Sequence, residues 1–124
     1  MAISDVARSE TNSCISAGKV NGTNVYGVNG DKIGHVEDVM LNKRTGNVAY
    51  AIMAFGGFLG IGERYHPLPW SVLKYDPDMG GYVVPLDRAR LENAPSYSEQ
   101  ELGPDDRRWR EPVSTYWNVP PYWM

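Results

Sequence analysis

The stretch Asn47-Val48-Ala49-Tyr50-Ala51-Ile52-Met53-Ala54-Phe55 constrains this chain more than any other. It reads as a strand, because a turn signal precedes it and β-branched and aromatic residues recur along it. Successive strand side chains point to opposite sides, so Val48, Tyr50, Ile52 and Ala54 share one face and Ala49, Ala51, Met53 and Phe55 the other. Both faces are apolar. A surface strand of an antiparallel sheet keeps one polar face, so this strand needs the core on one side and a second cover on the other: a helix, the tail or another subunit.

The strand runs into Gly56-Gly57-Phe58-Leu59-Gly60-Ile61-Gly62-Glu63, a connection that carries apolar side chains where a loop is normally polar. Phe58, Leu59 and Ile61 are therefore expected to be buried by another subunit or by the aromatic tail. Residues 64–69 follow as a strand in spite of Pro67 and Pro69; prolines remove ladder donors, so this strand lies at an edge or turns its proline nitrogens away from its partner. Residues 70–73 read as a single helical turn at a barrel end.

The turn chemistry on either side is regular. Asn21-Gly22 and Asn29-Gly30 bracket a strand over 23–28, and Asn42-Lys43-Arg44-Thr45-Gly46 is a hairpin turn with Gly46 placed for the left-handed backbone conformation. Between them residues 33–41 form a strand with a broken period: Ile33, Val39 and Leu41 share one parity, Val36 and Met40 the other. A bulge near Glu37-Asp38 reconciles them, and bulges bend strands around the corners of small barrels. Residues 74–86 read as a second hairpin, and Asp87 caps a short helix that Pro95 follows.

Thirteen glycines and nine prolines in 124 residues suit short strands and many turns, and a chain of this length is the size of one domain. The expected organisation is a polar leader over 1–17, a β domain over 18–97 and an extension over 98–124. That extension holds three of the four tryptophans, and in it Gly103 to Arg110 reads as a helix or two turns limited by Pro112. Disordered tails are usually poor in aromatics, so Trp109, Tyr116, Trp117, Tyr122 and Trp123 are expected to dock on the chain's own sheet or on a neighbour.

Charge narrows the partners. The net charge is -3, and the central residues 18–97 carry eight acids and eight bases, which leaves no clustered basic surface for nucleic acid. The longest apolar run, residues 49–55, is far shorter than the roughly 20 residues that span a bilayer. Cys14 is the single cysteine, so the fold does not depend on an intramolecular disulfide, and residues 2–16 lack the basic start and apolar run of a secretory signal. The expected compartment is the cytoplasm.

Several pieces in order resemble the PRC-barrel family, the small β-barrel named from the cytoplasmic domain of the photosynthetic reaction-centre H subunit. They are Val25-Tyr26, Asn29-Gly30-Asp31-Lys32-Ile33-Gly34, Val36-Glu37-Asp38-Val39, Thr45-Gly46, the glycine-rich connection 56–63 and Tyr65-His66-Pro67-Leu68-Pro69-Trp70, with the similarity continuing over 86–98. Val119-Pro120-Pro121-Tyr122-Trp123 is similar to the ending of stand-alone bacterial members. The resemblance implies an all-β fold, a small antiparallel β-barrel of about six strands with short helical turns. It also implies self-association and use as an adaptor surface, and it brings no catalytic residues.

The residues agree with a binding role. A phosphate loop needs Lys and Ser or Thr after its last glycine, whereas Glu63-Arg64 follow Gly62, and no G-x-S-x-G nucleophile elbow occurs. His35 and His66, beside Glu37 and Glu63, lack metal-ligand spacing, and His66 reads as a hydrogen-bonded rim histidine. The chain is accordingly read as a non-enzymatic, self-associating barrel without cofactor or metal, a dimer by default symmetry, able to join a larger protein complex. Its candidate contact residues are Phe55, Phe58, Leu59, Ile61, Tyr65, Trp70, Trp109, Tyr116, Trp117 and Trp123. The alternative is a small-ligand or metal-binding module that uses residues 56–66.

Overall fold

The computed structural model describes residues 13–55 and 64–123. The glycine-rich connection, with Phe58, Leu59 and Ile61, lies outside the described residues, so their expected burial has no structural counterpart here. In chain order the elements are α1 (Ala17–Val20), β1 (Asn24–Tyr26), β2 (Lys32–Leu41), β3 (Val48–Phe55), β4 (Arg64–Pro69) and a 3-10 turn (Trp70–Val72). They continue with β5 (Lys74–Asp76), β6 (Gly81–Val83), α2 (Arg88–Glu92), a second 3-10 turn (Asp106–Arg108) and α3 (Arg110–Trp117).

Local chemistry accounts for most of these boundaries. The Ser16 hydroxyl accepts from the Lys19 amide at 3.2 Å and starts α1. Val20 is buried there, and Ile15, in the stretch read as leader, packs against the core. Gly46 closes the β2–β3 turn at φ +80°, as the hairpin requires. The Asp87 carboxylate accepts from the Arg90 amide at 2.8 Å and caps α2. Strand β2 is long but irregular: Ile33 is an extra residue opposite β1 and Glu37 an extra residue opposite β3. Each irregularity resets the side-chain phase, which lets Ile33, Val36 and Val39 all reach one core despite their mixed parity.

The six strands form one sheet in the order β4-β3-β2-β1-β6-β5. This corrects the expected purely antiparallel barrel in two ways. Four pairings are antiparallel, but β1 and β6 run parallel. The reason is the link at Trp70–Val72: followed through the ladder, β4 and β5 have the same sense, so the chain turns a corner there instead of reversing. The sheet is also open, with no ladder from β4 to β5 among the described residues. Strand β4 has little left to offer a sixth pairing, because Tyr65 already exchanges both backbone bonds with Tyr97 at 3.0 and 2.9 Å and Pro67 and Pro69 have no N–H.

The open sheet is nevertheless strongly curled. Five strand spacings of about 4.8 Å would hold the outer strands of a flat sheet about 24 Å apart. The link from Pro69 to Lys74 spans at most about 19 Å fully stretched, and a bond from the Leu73 amide to the Trp70 carbonyl at 3.1 Å tightens it further. The edges are therefore drawn together at that end. Inside the curl lies the main core, with Val25, Ile33, Val36, Ala51, Met53, Leu68, Tyr82 and Val84, closed by Leu91 of α2.

The other face of β3 is covered by the chain itself. Tyr50 and Ile52 are buried with Trp109 and Val113 in a second cluster that α3 lays over the sheet. The helix runs through Pro112, against the expected limit. Pro112 is the third helical residue, and the first-turn N–H groups have no intrahelical acceptor to lose. Asn118 ends the helix in the left-handed conformation at φ 56°, and the Val119 amide returns to the Ser114 carbonyl at 3.2 Å.

Gly34 leaves no room for a side chain between β2 and β3: a Cβ there would collide with the Ala54 carbonyl oxygen. Gly34→Ala is expected to force these backbones apart and to cost about 1–3 kcal/mol in chemical denaturation. An unchanged midpoint would contradict the packing described.

Candidate functional site

Among the described residues, several aromatic and charged side chains converge outside the main core at the seam between β3 and the tail. Tyr50 stands on the outer face of β3 because strand alternation sends Ala51 and Met53 inward. The Trp109 ring meets it edge-on at 5.1 Å and 81°, and Tyr122 lies against it at 5.1 Å. Trp109 also faces Tyr97 at 6.3 Å, on the segment bridged to β4. Aromatic pairs at such distances add about 0.5–1.5 kcal/mol each beyond their buried area.

A polar chain runs through this apolar seam. The Tyr122 hydroxyl donates to the Asp106 carboxylate, with its ring packed against Tyr50. Arg110, one helical turn after Asp106, pairs with it at 3.5 Å and sets its guanidinium 4.6 Å from the centre of the Trp123 ring. Burial, then the negative charge of Asp106, pushes the Tyr50 phenol up to about 12 against the opposing pull of the Tyr122 hydroxyl. Tyr122 is pushed up as well, first by burial and then by its bond to Asp106. Both phenols thus stay neutral hydrogen-bonding groups through the physiological range.

The segment leading into the tail is tied down at β4. Arg64 donates to the Ser96 carbonyl at 2.8 Å and to the Ser96 hydroxyl at 3.2 Å, and lies 3.5 Å from Glu101. Glu101 accepts from the Ser98 amide at 2.8 Å while the Ser98 hydroxyl accepts from the Glu101 amide at 3.2 Å, a reciprocal box that fixes the turn.

Those expected contact residues that lie among the described residues separate onto two sides of the sheet. Phe55 points inward, with its ring 5.5 Å from His66, and Trp70 turns in at the corner to meet Tyr82 at 5.5 Å. Tyr65, Trp109 and Trp117 gather at the seam, with Trp117 touching both clusters. Trp123 is half-buried beside Arg110, and Tyr116 is exposed while its hydroxyl donates to the Arg90 carbonyl at 2.9 Å. Strand alternation marks the Tyr50 face of β3 as one that needs cover, whereas nothing in the sequence singles out Val113, and the signal for Asp106 is its spacing from Arg110, an i,i+4 ion pair on a helical stretch.

His66 is not at the rim. It is 2% exposed and faces inward, since it pairs with Met53 in the ladder. Desolvation, then the charge of Arg64, lowers it from the ordinary 6.5 to about 4, with a hydrogen bond to the Pro95 carbonyl opposing. His35 Nε2 lies 3.0 Å from Glu37 Oε2 on the exposed bulge. Among the described residues no group of three or more His, Cys, Asp or Glu side chains is arranged to hold a metal ion.

Because the folded value of His66 lies below the unfolded one, neutral His66 contributes stability above pH 6.5 that is lost as pH falls through about 4. Unfolding free energy should drop across that window with a slope approaching about 1.4 kcal/mol per pH unit. His66→Phe should flatten that part of the profile, and a wild-type profile level from pH 6.5 to 4 would refute the assignment.

The curled sheet, the corner at Trp70 and the capped α2 fall within a stretch that other proteins share. The sequence profile of the PRC-barrel domain matches residues 15–91. An uncharacterised protein of Deinococcus radiodurans is 31% identical over 91 residues, which is 69% of this chain and 32% of that protein. The chain thus spans about a third of the length of this relative, and the tail that covers β3 lies beyond the profile match. On a profile match over more than half its length, this chain belongs to the PRC-barrel domain family.

Proposed function

We infer that this chain is a non-enzymatic protein-interaction module that self-associates through the free edge of its curled sheet. The observation that carries the reading is β5. It is an outer strand without a ladder partner on its far side among the described residues, and it displays Tyr75 at 47% exposure. An unpaired edge with an exposed aromatic is a template for strand addition. Two copies related by a two-fold axis would pair β5 with β5 antiparallel and bring the two Tyr75 rings together, which makes a dimer the simplest closed assembly. The curled sheet then serves as the barrel, and its opening is where the partner joins.

Two further features support this role. The outer face of β3, the other large apolar surface, is already occupied by the chain's own tail, so that surface is not the free contact. The Deinococcus radiodurans relative holds the matching stretch within a longer chain, as a reusable module would be. No helix among the described residues is long and apolar enough to cross a membrane, and we place the module in the cytoplasm, as a part that can join a larger complex.

Light scattering on the full chain at on the order of tens of micromolar, where a modest dimer is populated, should give twice the chain mass. Tyr75→Glu should halve that mass and leave the thermal midpoint within a few degrees of wild type. A wild-type monomer, or a dimer indifferent to Tyr75→Glu, would sink the β5 reading.

A further inference from the structure

Where the corner at Trp70 meets α3 and the chain that follows it, the structure holds a half-open cavity of about 260 Å³, walled by Tyr50, Trp70, Val119, Pro120 and Tyr122. An apolar cavity of about 150 Å³ already holds benzene, so this one has room for a single ring with a substituent. Ser114 of α3 brings a hydroxyl to the same wall. Mostly apolar walls with a few placed polar groups are the make-up of small-molecule sites. We propose that this cavity binds a small uncharged molecule built of one apolar ring and one hydrogen-bonding group such as a hydroxyl, which Ser114 receives.

Ser114 is 7% exposed, and its hydroxyl has no hydrogen-bond partner among the described residues. A serine inside a helix can satisfy its hydroxyl on the carbonyl one turn back, here that of Arg110, and that bond is not made. Nor is the hydroxyl sealed in. The unpaired side-chain nitrogens and oxygens without solvent access among the described residues belong to His66, Trp109 and Trp117. The access that Ser114 keeps leads into this cavity, because the residue borders neither the cavity beside Leu102 nor the groove beside Arg108. Ser71 also borders the cavity but is exposed, so water serves its hydroxyl and discrimination falls to Ser114. The Tyr122 hydroxyl is spent on Asp106, whose carboxylate borders the cavity beside Leu102 instead. Among the described residues no charged side chain lines the site, so an ion would lose its hydration without a counter-charge, and a neutral ligand is selected. The walls come from β3, the corner link and the tail, so binding also fastens the tail to the corner where the sheet edges are drawn together.

The test uses the full chain and probes of one size: benzyl alcohol, which carries a hydroxyl, toluene, which lacks it, and benzoate and benzylamine, which are charged at neutral pH. The readout is the methyl signals of Val48 and Val119, which both line the cavity, each assigned by its loss on substitution to alanine. Benzyl alcohol should move these signals saturably, and toluene should bind about three- to tenfold more weakly, the worth of one hydrogen bond. Benzoate and benzylamine should leave them in place. Ser114→Ala removes a hydroxyl without a partner and suits a helix better, so its thermal midpoint should match or exceed the wild type. In that variant the toluene affinity should be unchanged and benzyl alcohol should fall to the level of toluene. Methyl signals unmoved by millimolar benzyl alcohol identify a hydrated crevice only and overturn the proposal. Equal affinities for benzyl alcohol and toluene in the wild type overturn it too, as does an advantage that survives Ser114→Ala or a charged probe that binds as tightly as benzyl alcohol. A marked loss of stability in Ser114→Ala would show the hydroxyl bonded within the fold, which overturns it as well.

Discussion

Strand β3 must be buried on both faces, and the architecture follows from how that is achieved. Ala51, Met53 and Phe55 supply one side of the main core, while Tyr50 and Ile52 are sealed by Trp109 and Val113 from the tail. Burial of a large apolar side chain stabilises by about 1.5–3 kcal/mol, so leaving the outer face open would forfeit a substantial part of a small domain's marginal stability. The tail is therefore a third layer on the sheet, held by rings packed against Tyr50 and by a Tyr–Asp–Arg chain that keeps its polar atoms paired.

The second constraint is the corner at Trp70–Val72. A link this short cannot join the two edges of a flat six-stranded sheet, so it imposes the curl, and because it does not reverse the chain it also imposes the parallel β1–β6 pair. The curl gathers side chains from every part of the sheet into one core that α2 can close with Leu91. The two edges then have different fates. Strand β4 is blunted by prolines and by the Tyr65–Tyr97 bridge, whereas the outer edge of β5 has no ladder partner among the described residues.

Features that depend on local chemistry were legible in the sequence. The bulge at Glu37, the edge position of the proline-bearing β4, the turn at Gly46 and the Asp87 cap all follow from a few adjacent residues whose backbone preferences are strong. The need for a cover on the outer face of β3 was legible too, because strand alternation is itself local. Which segment supplies that cover depends on contacts between distant parts of the chain. Periodicity could not show that Phe55 and Trp70 turn inward while Tyr65 and Trp109 gather at the seam. Pro112 misled for a related reason: its effect on a helix depends on its distance from the start, and that start is fixed by packing on Tyr50. His66 was misplaced because a proline-flanked strand looked like a rim, although its ladder partner Met53 puts it in the core.

The seam also sets an order of events in time. Tyr50 and Tyr122 meet across about seventy residues, a long loop to close, whereas the β2–β3 and β5–β6 hairpins close over a few residues each. A chain emerging residue by residue forms the curled sheet while the outer face of β3 is still bare, and the tail arrives afterwards. Until then Tyr50 and Ile52 are sticky surface in a crowded setting, a window in which nascent chains of this protein are most exposed to misassociation with one another. Slow translation between residues 92 and 123 would lengthen that window, and fast delivery of the tail would shorten it.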